Sequence, residues 1–263
     1  MLGALIGDMV GSTYEFHPTK RTDFKLFTPF SKFTDDTVCT LAVAEAVMHH
    51  KDYELALLHW CRRYPDAGYG KTFKAWFMSD DPKPGDSFGN GSAMRVSPVA
   101  YSECQETDLL REAAASAYPT HSHPEGIKGA QAVAYAVWVN KCVHGGYCKD
   151  KLRQELETRF GYDLSTPLDM IRKKYKMDAT CQGSVPQAIR AFLESTDFES
   201  AIRLAISLGG DADTQASIAG AIAEAHYRKI PKMMVVETFK RLPSHFVDAI
   251  LRFQKVYGIT LLV

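Results

Sequence analysis

Leu208-Gly209-Gly210-Asp211-Ala212-Asp213-Thr214 runs without a break into Gln215-Ala216-Ser217-Ile218-Ala219-Gly220-Ala221-Ile222-Ala223-Glu224-Ala225-His226-Tyr227. The second half is an Ala-rich helix, and the first half is where it must begin. The paired glycines let the chain turn sharply, and Asp211 or Asp213 can cap the free N–H groups of the first turn. By itself this is an acidic N-cap with a spare carboxylate beside it. Asp, Asp and Thr also offer only oxygen, the ligand atom that a hard divalent cation takes.

The same device occurs near the other end of the chain. Phe33-Thr34-Asp35-Asp36-Thr37 leads directly into Val38-Cys39-Thr40-Leu41-Ala42-Val43-Ala44-Glu45-Ala46-Val47. Again a hydroxyl and two carboxylates stand at the mouth of an apolar, Ala-rich helix. If folding brings the two starts together, four anions share one cleft. They repel unless bound cations remove the penalty. A metal site assembled from Asp35, Asp36, Asp211 and Asp213 is therefore expected.

Bulk properties fit a soluble globular protein. Of 263 residues, 46 % are hydrophobic and 24 % charged, enough apolar material for one large core. Lys plus Arg balances Asp plus Glu at 31 each, so no global field favours nucleic acid or an anionic membrane. The N-terminus reaches Asp8 before any long apolar run, which does not suit a signal peptide, and no stretch reads as a membrane span. The six cysteines form no Cys-x-x-Cys pair. A cytoplasmic protein without a membrane partner, and a monomer, is expected.

Apolar periods close to 3.6 recur along the chain, with no convincing alternating strand. Gly3, Gly7 and Gly11 lie at four-residue spacing on one face of the opening helix, which implies close approach of another helix or a ligand. Residues 17–32 lack a period and are long enough for a flap. Helices are expected over 34–50, 52–63, 72–78, 107–117 with Thr107 as N-cap, 126–139, 147–162, 198–208, 233–241 and 244–257. Another is expected from Ser184, with Pro186 in its first turn. Gly89-Asn90-Gly91-Ser92 can turn backbone N–H groups towards an anion, though it lacks the ending of a Walker loop. His121 and His123 point to opposite sides of an extended segment, so capping or ligand contact suits them better than chelation. The whole reads as one all-α domain over residues 1–263, a single compact multi-helix bundle with no substantial sheet.

Gly3 to Glu15 (Gly-Ala-Leu-Ile-Gly-Asp-x-x-Gly-x-x-x-Glu), Thr34-Asp35-Asp36-Thr37, Gly68-Tyr69-Gly70, Phe88-Gly89-Asn90-Gly91-Ser92-Ala93-Met94-Arg95, Thr120-His121 and Gly209 to Thr214 occur in that order. Together they resemble the ADP-ribosylglycohydrolase family. The resemblance implies two divalent cations, Mg²⁺ or Mn²⁺: Thr34, Asp35 and Asp36 on one, Asp211 and Thr214 on the other, and Asp213 between both. It implies Glu15 beside the scissile bond, with Asp35, Asp36 and Asp213 completing the catalytic set. Ser87, Phe88, Gly89 and Asn90 would hold phosphates and ribose, His121 would touch the diphosphate, and Gly68, Tyr69 and Gly70 would line the same cleft. The partner would be an ADP-ribosylated protein or another ADP-ribose conjugate, and the product ADP-ribose.

Two other readings compete. Isoprenoid synthases also place acids at helix starts, but want Asp-Asp-x-x-Asp, and Asp35-Asp36-Thr37-Val38-Cys39 lacks the third acid. A non-catalytic relative that only binds ADP-ribose, or a crystallin-like one, would have less reason to keep four Asp, two Thr and Glu15 together.

Overall fold

In the computed structural model, which describes residues 1–143 and 145–260, fifteen helices account for the regular structure. Pairing between extended segments is limited to isolated bridges at Asp86–His121 and Gly89–Thr180. Helices α1 (Leu2–Gly11), α2 (Asp35–His49), α8 (Pro124–Cys142) and α13 (Ala212–Tyr227) are the innermost. Every residue of α1 is buried, and so are the fourteen from Ala212 to Ala225 of α13. A helix that is apolar on all sides can only be stable inside the molecule. Charged, amphipathic helices such as α9 (Lys149–Phe160) and α15 (Ser244–Val256) cover this centre with one face each.

The contact between α1 and α13 is made by the glycine stripe. A methyl group on Gly3 would lie 2.2 Å from the Gly220 carbonyl oxygen, and one on Gly7 2.1 Å from that of Ala216. One on Gly11 would lie 2.4 Å from Asp213 Cα. No side chain fits at these points, so the two backbones touch. α1 thereby serves as the rail along which the N-terminus of α13 is placed.

Helix starts follow local chemistry where a capping side chain is present. Thr34 accepts from Asp36 N, Asp52 from Glu54 N and Leu55 N, and Thr180 from Gly183 N. Several boundaries differ from the sequence expectation: the helix expected over 126–139 runs from Pro124 to Cys142, and the one expected over 198–208 ends at Ile206. The helix expected at Thr107 begins at Glu106, with Gln105 as N-cap and no capping side chain. The helix expected from Ser184 begins at Cys181, because Thr180 supplies a cap one turn earlier. Pro186 consequently lies inside that helix instead of in its first turn. The charged helix expected from Tyr147 starts at Lys149. Short helices α6 (Val99–Ser102) and α10 (Leu168–Lys174) carry too few apolar positions to declare themselves by period. Residues 17–32 form the expected loop, and its middle is pinned: Lys20 Nζ donates to Tyr175 O (2.7 Å) and Leu208 O, and Arg203 Nη1 to Thr22 O and Phe24 O.

Candidate active site

The two acidic helix starts meet. Thr214 Oγ1, at the beginning of α13, donates to Asp36 Oδ2 at the beginning of α2 over 3.2 Å. Around this contact a cleft of about 360 Å³ is lined by Glu15, Asp35, Asp36, Asp211, Asp213 and Thr214. Ser87, Gly89, Asn90 and His121 line it as well, and Gly68 and Gly70 stand at its edge, Gly68 beside Asp35. Carboxylate oxygens of Glu15, Asp211 and Asp213 lie within 4.8 Å of one another. Ionised together, each such pair repels by about 3.5 kcal/mol or more at an effective dielectric of ~20.

The charge is not balanced from within. The ion pairs of the described residues all lie elsewhere. Burial, reinforced by neighbouring carboxylates, raises Glu15 to about 7 and Asp35 to about 8. Asp36 and Asp213 are also pushed up, by desolvation first and then by adjacent acids. Asp36 Oδ1 is buried without a hydrogen-bond partner among the described residues. A cluster of hard oxygen donors with raised pKa values and an orphaned carboxylate oxygen suits a divalent cation.

Thr34 does not line the cleft but stands directly behind it. Its hydroxyl donates to Asp8 Oδ1 (2.7 Å) and accepts from Asp36 N (3.3 Å). Asp8 is the residue the sequence reading passed over. Completely buried on α1, it also accepts from Thr34 N (2.9 Å), Thr37 N (3.1 Å) and the Thr37 hydroxyl. These bonds satisfy first-turn donors of α2 and tie the Asp35–Asp36 start to α1. A fully buried acid in an apolar helix was the available signal, since such a group must have partners.

Two glycines in the left-handed region shape the rim. Gly209 (φ 65°) makes the turn into α13, and Gly68 (φ 109°) leaves Asp35 Oδ1 clear of any side chain. Asn90 is joined to the acids, donating from Nδ2 to Asp211 Oδ2 (2.8 Å) and Ser184 Oγ (3.1 Å). Asp211 holds the N-cap position of α13 but makes no capping bond with its side chain, which faces Asn90 instead. His123 caps α8 by accepting from Glu125 N (3.1 Å), whereas His121 faces the cleft.

Two expected binding side chains lie outside the lining. Tyr69 is buried against Phe73 and Phe77, so it supports the Gly68–Gly70 turn from behind. Phe88 is half exposed and packs edge-on against His123; its carbonyl accepts from Cys181 N. Lys71, Phe73 and Met177 line the cleft and carried no sequence signal for it, whereas Arg95, which also lines it, closes the Phe88–Arg95 motif.

No helix among the described residues is long and apolar enough to cross a membrane. The profile of the ADP-ribosylglycohydrolase family matches residues 1–255. The chain is similar to ADP-ribosylhydrolase ARH3 of Mus musculus, 28 % identical over 86 % of this chain and 82 % of the relative. It is also similar to ADP-ribosylarginine hydrolase Tri1 of Pseudomonas putida (strain GB-1), 26 % identical over 86 % of this chain and 69 % of the relative. A solved structure titled ADP-ribosylglycohydrolase-related protein complex shares the fold, with a TM-score of 0.67 at 24 % identity over 98 % of this chain and 93 % of the other. With its all-helical fold and a cleft that gathers the acids of both chain ends, this chain belongs to the ADP-ribosylglycohydrolase family and is a glycoside hydrolase acting on ADP-ribosylated substrates.

Proposed function

We propose that the enzyme cleaves the glycosidic bond between ADP-ribose and a modified acceptor, with two divalent cations, Mg²⁺ or Mn²⁺, in the acidic half of the cleft. The acceptor is a protein side chain such as arginine or serine, or a related ADP-ribose conjugate. The observation that carries this reading is the junction of α2 and α13 at Asp36–Thr214, which puts five carboxylates on one cavity.

Asp35 and Asp36 with Thr34 would hold one cation, Asp211 and Thr214 the other, and Asp213 would serve both. Both threonine hydroxyls donate to carboxylates, Thr34 to Asp8 and Thr214 to Asp36, which leaves lone pairs for a cation. When bound, such ions polarise water and bind vicinal hydroxyls.

The chain's own groups do the rest. Cleavage at an anomeric carbon develops positive charge on the ribose ring, and the acids of α2 and α13 stabilise it. Glu15, raised to about 7 by burial and neighbouring acids, can exchange a proton near neutral pH at the leaving atom or at the attacking water. Ser87, Gly89, Asn90 and His121 form a polar lining suited to the diphosphate and ribose. Gly68 and Gly70 line the same cleft, and Gly68, without a side chain, leaves room beside Asp35 Oδ1.

The test is release of ADP-ribose from arginine- and serine-modified protein with Mg²⁺, Mn²⁺ or chelator, beside a melting curve. Asp213→Ala is expected to abolish release while the protein still melts cooperatively. An active Asp213→Ala enzyme would refute the assignment.

A further inference from the structure

Arg95 follows the short helix α5 (Gly91–Met94) and is completely buried, yet forms no ion pair among the described residues. Its Nη2 donates to Ser116 O and to Thr120 Oγ1, each at 2.9 Å, while Nε and Nη1 have no partner among the described residues. Thr120 Oγ1 in turn lies 2.6 Å from His121 Nδ1. The chain Arg95–Thr120–His121 ends at the cleft. Gly89 and Gly91 stand on its wall, and a methyl group on Gly91 would meet His121 Nε2 at 3.1 Å. None of the hydrogen bonds of the described residues uses that nitrogen.

Counting hydrogens decides the direction of the chain. Thr120 Oγ1 accepts from Arg95, because a guanidinium can only donate. The single Thr120 O–H is then free, and the acceptor beside it is His121 Nδ1. The opposite arrangement, Nδ1–H donating to Thr120, would orphan a buried hydroxyl hydrogen. It would also turn a bare Nε2 lone pair towards the cleft, where an anion would be repelled. A second positive charge on the ring is opposed by burial first and by Arg95 next, which hold His121 well below the usual histidine range.

We propose that Arg95 is a positioning residue: through Thr120 it holds His121 in the tautomer that carries its hydrogen on Nε2, presenting a neutral N–H donor to the diphosphate of the bound ADP-ribosyl group. This rests on the ADP-ribose reading of the cleft. It adds a role for a buried cation at the back of the cleft, and it assigns the recognising atom as Nε2–H.

The experiment is a two-bond ¹H–¹⁵N correlation spectrum of His121 in labelled protein without ligand, paired with calorimetric titration of ADP-ribose. Wild type should show the Nε2–H pattern. Thr120→Val should lose it and weaken ADP-ribose binding by about tenfold or more, as for one hydrogen bond to a charged acceptor. Thr120→Ser, which keeps the hydroxyl, should restore both. An Nδ1–H pattern in wild type, or an unchanged pattern in Thr120→Val, overturns the proposal. Because the tautomer is read without ligand, wild-type protein that shows it but does not bind ADP-ribose would instead refute the reading of the cleft.

Discussion

Substituting Gly11 by Ala tests the link between the helix pair at the centre of the fold and the chemistry at its end. The new methyl group would stand 2.4 Å from Asp213 Cα, 2.6 Å from Ala212 O and 2.7 Å from Asp213 N. Ordinary contact begins about 1 Å farther out, at 3.4 Å. The obstacle is backbone on both sides, so the start of α13 must move by about that amount. A displacement near 1 Å at a catalytic group costs on the order of 10²-fold in rate. Overpacking alone costs about 1–3 kcal/mol, offset by up to about 1 kcal/mol because Ala favours helix over Gly. The control is Gly3→Ala, which meets Gly220 O at 2.2 Å. It clashes at least as hard, but about 12 Å farther along the helix at 1.5 Å per residue. Melting temperature and ADP-ribose release should be measured for both. The two variants are expected to lose similar stability, whereas only Gly11→Ala loses activity by about 10²-fold. It should also lose most of the Mn²⁺-induced rise in melting temperature. If Gly11→Ala is as active as Gly3→Ala, α1 does not place Asp213, and the rail argument fails.

Other expectations follow from the same residues. Asp8→Ala removes the acceptor of four donors from Thr34 and Thr37 and should cost about 2–4 kcal/mol in denaturant unfolding. It should also weaken Mn²⁺ binding by about 10–100-fold, as loss of a ligand's support does, and unchanged metal affinity would contradict its role. In chelator, Glu15 and Asp35 have folded values of about 7 and 8, above their ordinary 4.5 and 3.8. Raised carboxylate values favour folding at low pH, and that contribution is lost as pH rises through them. The melting temperature in chelator should therefore fall between about pH 6.5 and 8, above most histidine titration, and saturating Mn²⁺ should widen the gap with pH. A gap that is constant with pH would show that these acids are not linked to the metal. His50 caps α2 at φ 50° and is exposed, so His50→Gly should raise stability by about 1 kcal/mol with activity unchanged.

Much of this molecule is written locally. Thr34 before Asp35-Asp36 and Asp52 before Tyr53 mark helix starts because a capping oxygen and the N–H groups it satisfies are neighbours in sequence. The Gly3, Gly7, Gly11 spacing pointed to close approach of another helix or a ligand for the same reason: one turn of helix decides which positions share a face. The two acidic starts were visible as a pair, and so was their oxygen-only chemistry. Where a stronger local signal competed, the local pattern misled, as at Thr180, which caps the helix Cys181–Glu194 ahead of Ser184 and leaves Pro186 in its interior.

What tertiary structure alone decided is which partner each polar group meets. Asp8 in sequence is an acid in an apolar helix, and only the fold turns it onto Thr34 and Thr37 of α2. Tyr69 belongs to a cleft motif, yet packing sends its ring into the core. Arg95 reaches Thr120 and His121 across 25 residues, a distance that no periodicity spans. Thr214 and Asp36 are 178 residues apart, and their likeness in sequence does not by itself bring them into contact. Their meeting depends on two stripes of small residues that let α1 and α13 touch. Caps and periods are set by neighbours in sequence, but a site with charges from both ends of the chain exists only once the core has packed.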